Sequence, residues 1–241
     1  YEKNLQNVRT VLQGTEGTLS SITDAINEVR ELQVAGASDS IGADGRVSLA
    51  DSLNQIIELL VSLGNDRFAG AYTFSGRGSL QPPYAAERDG AGRVTAVRMN
   101  PLIGGDVIRR VASDVSLTIN VDAADLFGED AKLFGQLIEL RNALEADDGE
   151  AVRRQEAVLD QALERVMRAT SFVGALEGRV EALLHRAGTD RVNYEGGRSK
   201  AEDLDVGQAV VEFQQEQVAL QAALQSGARV LNLNLLDYLS I

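Results

Sequence analysis

Cysteine and tryptophan are absent from this chain, and His185 is its one histidine. With no thiol there is no cysteine nucleophile, no cysteine-ligated zinc and no disulfide framework. With a single imidazole there is no H-E-x-x-H helix, which needs two histidines on one helical face. A Ser-His-Asp hydrolase would have to use His185, which sits in LLHRAG toward the end of a helical pattern, and the chain contains no G-x-S-x-G elbow. In that position it reads as an exposed or helix-terminal residue. Carboxylate-only magnesium or calcium sites lack a D-x-[DN]-x-[DN]-G-x5-E loop. The acidic groups Asp147-Asp148 and Glu202-Asp203-Asp205 read as solvated turns and helix caps. The inventory supports no cofactor, no metal and no enzyme.

Excess positive charge is lacking too. Against 36 acidic residues stand 23 basic ones, a formal net charge of -13, whereas nucleic-acid binding needs a concentrated basic patch to displace counterions. No apolar run approaches the roughly 18 residues of a membrane span, and no leader pattern opens the sequence, so membrane insertion is not expected. The lack of cysteine is compatible with export. Tyr1 falls inside a helical pattern without a methionine or a cap, so the sequence is expected to be a fragment of a longer chain.

What the chain does have is helical spacing. Leu5, Val8, Leu12, Thr15, Leu19, Ile22, Ile26 and Val29 recur at threes and fours, a coiled-coil seam over more than three heptads. Gly14 and Gly17 each lower helix propensity by about 1 kcal/mol, so this helix needs a packing partner. GASDSIGADG at 36–45 reads as a loop. Ser48 with Asp51 three residues on resembles a capping box, opening a second helix with the seam Leu49, Leu53, Ile56, Leu60 and Leu63, antiparallel to the first.

NDRFAGAYTFSG at 65–76 raises the question of a ligand loop, but its Gly70-to-Gly76 interval fits no phosphate-binding motif. It reads instead as a hinge from helix to sheet, with the glycines turning the chain and Phe68, Tyr72 and Phe74 substantially buried in the seam. After it the period changes to two. RVTAVRM at 93–99 alternates imperfectly and VSLTINV at 115–121 cleanly, with turn signals at 89–92 and 104–106, predicting a small antiparallel sheet over roughly 72–122.

Helical spacing returns at Leu133, Phe134, Leu137, Ile138, Leu140 and Leu144. The acidic turn at 146–149 separates that helix from a very long one with Val152, Leu159, Leu163, Val166, Thr170, Val173, Val180 and Leu184 in register, and polar members at Glu156 and Glu177. Asp205 with Gln208 reads as a capping box for a last helix with the seam Val206, Val210, Phe213, Gln217, Leu220, Leu224 and Leu231. Leu231, Leu233, Leu235, Leu236, Tyr238, Leu239 and Ile241 place more apolar surface there than water tolerates. The expected fold is mainly α. It is a long antiparallel helical coiled-coil bundle built from both chain ends, with a small antiparallel β-containing central insertion. The expected parts are 1–71 and 131–200 in the rod, 72–130 as the insertion and 201–241 as the C-terminal helix.

Several stretches carry a family resemblance: the helical run from Tyr1 to about Leu32, LVSLGNDRFAGAYTFSG at 60–76, FVGALEGRVEALLHRA at 172–187 and the run from Asp203 to Leu239 that ends LLDYL. The G-x-Y-x-F-S-G turn together with the terminal LLDYL is sharper than heptads alone. On these residues the sequence resembles the flagellin superfamily and, within it, the hook-associated protein 3 family of hook-filament junction proteins. The resemblance implies an extracellular structural subunit of the bacterial flagellum, exported unfolded without a cleaved signal peptide. Its implied partners are other copies in a ring, the neighbouring hook-side and filament-side axial proteins, and a type III export chaperone. Leu220, Leu224, Leu231, Leu235, Leu236, Tyr238 and Leu239 would form the assembly or chaperone-binding stripe. It also implies a further stretch before Tyr1 that pairs with this end. A filament flagellin, or a surface recognition module carried by the insertion, are the alternatives.

Each apolar side chain of that stripe gains about 1.5 to 3 kcal/mol on full burial, enough to drive assembly and too little to order a lone helix against chain entropy. Residues 215–241 are therefore expected to be disordered or borrowed by a neighbour outside the assembly. Hydrogen exchange on a dilute monomer should find their amides weakly protected; strong protection across the segment would overturn the expectation.

Overall fold

The computed structural model describes residues 1–202 and 206–238, with side chains over 1–200 and 207–229. It divides into two compact units, Tyr1–Ala187 and Gly188–Ile241. In the first, helix α1 (Glu2–Ala37) buries the whole predicted seam from Leu5 to Val29. Gly14 in that helix makes room for a ring: a Cβ there would collide with Phe68. Helix α2 (Ala43–Gly64) buries Leu53, Ile56 and Leu60 from its predicted seam and half-buries Leu49 and Leu63.

Two boundaries differ from the sequence reading. The loop is confined to residues 38–42, and α2 begins with Gly42 as its N-cap and no capping side chain. The expected capping box at Ser48 is not one, because Ser48 lies inside the helix and its hydroxyl donates to the Asp44 carbonyl at 3.1 Å. Arg46 explains the earlier start. Held in the first turns of α2, its buried guanidinium donates to the carbonyls of Gly36 (2.8 Å) and Ser38 (3.0 Å) and pairs with Asp147. Those carbonyls belong to the end of α1, where helical acceptors are left over and a cation is favourable.

The single sheet expected over 72–122 is replaced by three separate antiparallel pairs: β1 (Arg67–Phe68) with β2 (Ala71–Tyr72), β3 (Tyr84–Arg88) with β4 (Val94–Met99), and β5 (Ile108–Arg110) with β6 (Ser116–Thr118). Between β1 and β2 the turn residues Ala69 (φ 51°) and Gly70 (φ 88°) both adopt the left-handed conformation of a two-residue hairpin turn. In the β3–β4 pair, side chains take up backbone groups at Tyr84 and Val94 that a wider sheet would pair. The Asn65 amide acts as a stand-in strand, donating to the Tyr84 carbonyl and accepting from its N–H, both at 2.9 Å. Alternation in 115–121 does hold, with Leu117, Ile119 and Val121 buried.

Helix α3 (Ala123–Phe127) and a 3-10 turn at Glu129–Ala131 follow, neither signalled by periodicity. Helix α4 (Lys132–Glu145) packs Phe134 against Phe127 and Tyr84, with centroids 5.0 and 5.1 Å away, and Tyr84 meets Phe127 edge-on at 5.4 Å. The Tyr84 hydroxyl donates to the Ala123 carbonyl at 2.9 Å, and burial pushes its pKa up. Arg141 of α4 is buried as well, donating to Asn54 (2.8 Å) and to the Val94 carbonyl (2.6 Å), so one guanidinium joins α2, β4 and α4. The long helix expected from Val152 is broken: α5 (Gly149–Arg154), capped by the Asp148 carboxylate on the Ala151 N–H, ends at Gln155, and α6 runs over Glu156–Glu202.

Within the first unit α6 runs antiparallel to α1, as the Arg30–Asp160 bridge at 3.1 Å and the proximity of Glu177 to Glu16 require. Leu159, Val166, Val173 and Val180 are fully buried. Glu177 interrupts that seam, its Oε1 buried without a hydrogen-bond partner; desolvation, and then the Glu16 charge, raise its pKa.

Phe134→Ala should lower the unfolding free energy of the first unit by about 3 to 5 kcal/mol in urea titration. The exposed Phe213→Ala should change it by no more than about 0.5 kcal/mol. Glu177→Gln should stabilise the protein at neutral pH. A carboxyl whose folded pKa is raised binds its proton more tightly when folded, so the wild type loses stability as pH rises from the ordinary carboxylate range through the raised value. Thermal melts of the two proteins should therefore converge in acid and separate toward neutrality.

Candidate assembly interface

Helix α7 (Val206–Tyr238) spans the predicted stripe as far as Tyr238. Spacing by threes and fours places Val210, Phe213, Gln217, Leu220 and Leu224 on one face. A core-facing helix would cover such a face. Here Phe213, Leu220 and Leu224 are 62 %, 61 % and 65 % exposed, and Val210 is exposed with them. In the second unit every described side chain from Thr189 to Arg229 is exposed except Ala209, which is partly so. Val192 and Tyr194, on the α6 stretch of that unit, add further apolar surface in water.

Of the predicted stripe, Leu220 and Leu224 are exposed on one face of α7. The side chains of Leu231, Leu235, Leu236, Tyr238 and Leu239 lie outside the described residues, as does the expected cap at Asp205; Gln208 is inside α7 and its amide donates to Glu212 at 3.2 Å.

The remaining candidates take structural places. Asp148 caps α5 and Asp147 pairs with Arg46. His185 is exposed on α6. Among the described residues no group of three or more histidine, aspartate or glutamate side chains is arranged to hold a metal ion, and no helix is long and apolar enough to cross a membrane.

The stretch 65–76 divides on inspection. Phe74 is fully buried, as expected, and the Ala123 N–H donates to its carbonyl. Phe68 and Tyr72 are only half-buried and line a groove of about 680 Å³ beside α1. Spacing gave no sign of that groove, because its walls come from α1, β1–β2 and the distant β5–β6 pair.

Comparison with known proteins agrees with this geometry. Residues 157–239 match the model of the bacterial flagellin C-terminal helical region, which takes in the whole exposed face of α7. The flagellar filament 30.7 kDa core protein of Treponema maltophilum is 26% identical over 92% of this chain and 72% of its own length. A putative flagellar hook-associated protein from Vibrio parahaemolyticus shares the fold with a TM-score of 0.70, at 18% identity, covering 83% of this chain and 89% of its own. Flagellin of Bacillus cereus shares it at 0.52 and 15% identity, over 77% and 89% respectively. In its C-terminal region and along nearly its full length this chain is similar to flagellins, and it shares its fold with flagellar hook-associated proteins and flagellin.

Proposed function

We propose that the chain is a structural subunit of the bacterial flagellum that joins hook to filament, an axial junction protein that polymerises through its terminal helices and has no enzymatic role. The observation that carries this reading is the exposed α7 face, attached to a first unit whose own core is complete. A subunit of this design folds its rod first and leaves an apolar helix to be covered by neighbours. The hook-associated fold matches more closely than the flagellin fold, and the G-x-Y-x-F-S-G turn supports the same choice. Its partners in this reading are further copies in a ring and the axial proteins on either side. Its place is the extracellular appendage, reached through the flagellar export apparatus without a cleaved signal peptide. An export chaperone would cover the α7 stripe before assembly, since the exposed leucines would otherwise meet water.

A second reading, a filament subunit, is favoured by the filament core protein that aligns along nearly the whole chain. Immunogold labelling separates the two: a single band at the hook-filament boundary supports the junction, and label along the full filament supports the flagellin. Deleting the gene should leave hooks without filaments, with filament protein shed into the medium; normal filaments would reject the proposal. Leu220→Asp with Leu224→Asp should abolish assembly while leaving the urea unfolding of the first unit unchanged, because neither side chain contributes to its core.

A further inference from the structure

Charge is segregated along this chain. Residues 67–122 carry seven arginines against five carboxylates, whereas the remainder carries sixteen basic against thirty-one acidic residues. The groove beside α1 gathers part of that positive charge. Val8, Val11 and Phe68 form apolar wall, while Arg77 and Arg109 line it. The Arg67 guanidinium lies 5.0 Å over the ring of Tyr72, another wall residue.

These three arginines differ from those that hold the rod together. Arg30, Arg46, Arg88, Arg93 and Arg153 each pair with a carboxylate. Arg67 and Arg77 instead donate to the backbone carbonyls of Gly70 (2.8 Å) and Asp106 (3.1 Å), and Arg109 is exposed on β5. Among the described residues none of the three has a carboxylate partner, although the lining includes one, Asp106. Guanidinium groups left over apolar and aromatic walls are well suited to a planar anion such as a carboxylate side chain.

The same protein supplies such an anion. On α1, Asp24, Glu28 and Glu31 recur at four and three residues on the face turned away from the buried seam; all are exposed, and none is in an ion pair among the described residues. The groove uses α1 only from Asn4 to Thr15, so donor and acceptor patches occupy different lengths of one rod.

We propose that the arginine-lined groove receives the Asp24–Glu28–Glu31 stripe of a second copy of this chain. Because each copy offers two unlike patches, the contact is head-to-tail, and it propagates as a closed ring or an open filament according to the rotation it imposes. It rests on the assembly reading above for its purpose, but it uses a surface separate from the α7 stripe. The charge pairs set register and partner choice, and α7 supplies apolar burial.

Sedimentation of the full chain at low and high salt tests this with two reversals, Arg77→Glu/Arg109→Glu and Asp24→Lys/Glu28→Lys/Glu31→Lys. Wild-type self-association should weaken with salt. Each reversal alone should weaken it at least about tenfold. An equimolar mixture of the two variants should restore it, since each reversed patch then meets its complement and misfolded variants could not recover. A mixture as dissociated as its components, a reversal without effect, or a wild type that does not associate at low salt would overturn the proposal. If Leu220→Asp/Leu224→Asp abolishes association while the reversals do not, the α7 reading stands and the groove contact falls.

Discussion

The structure depends on one constraint: α1 has an apolar stripe along most of its length and cannot leave it in water. Leu5, Leu12, Leu19, Ile22, Ile26 and Val29 are all essentially inaccessible, and they share one continuous core with Leu53 and Leu60 of α2 and Leu159, Val166 and Val173 of α6. Helices this long gain little from propensity alone, particularly with glycines at 14 and 17; packing of the stripe holds them. Once α6 lies antiparallel to α1, the chain between them has to leave the rod and return to it, and the hairpins occupy that excursion.

Where the helices meet the excursion, charge does work that apolar packing cannot. Arg46 and Arg141 are each buried, which is costly for a guanidinium unless most of its donors are used. Arg46 uses them on the open end of α1 and on Asp147; Arg141 uses them on Asn54, Asn142 and the Val94 carbonyl. Gln33 adds a third tie, donating to the Val152 carbonyl at 3.0 Å. These bonds satisfy backbone carbonyls that the short strands and broken helices leave open at the joints of the rod. The two units then differ in kind. The first gathers most of its apolar residues into one core, while the described part of the second keeps them exposed, which is the division expected of a subunit completed by neighbours.

The helices were legible because their signal is local and repeated. Every residue of the predicted α1 seam is buried, together with Thr18, Ala25, Gln33 and Gly36 beside it, and α4 and the inner part of α6 follow their spacing. The joints were less legible. Ser48 with Asp51 satisfies a capping pattern, yet Gly42 starts the helix, and the turn so gained carries Arg46, which ties α2 to the end of α1. Gln155 breaks a helix that heptad spacing carries straight through. The two-residue strands at Arg67–Phe68 and Ala71–Tyr72 are too short to show any period.

The sequence by itself determined that thiol and two-histidine chemistry is unavailable, where the long helices lie and which of their faces are apolar, including the α7 face of Leu220 and Leu224. Such patterns repeat every few residues and survive without knowledge of any distant neighbour. Only the tertiary structure decided that the central strands form three separate pairs and that Phe74 is buried while Phe68 and Tyr72 stay half-open. Only it set Arg77 and Arg109 beside the same stretch of α1. Those placements join residues far apart in the chain, and no local spacing encodes which distant segment will supply the other wall.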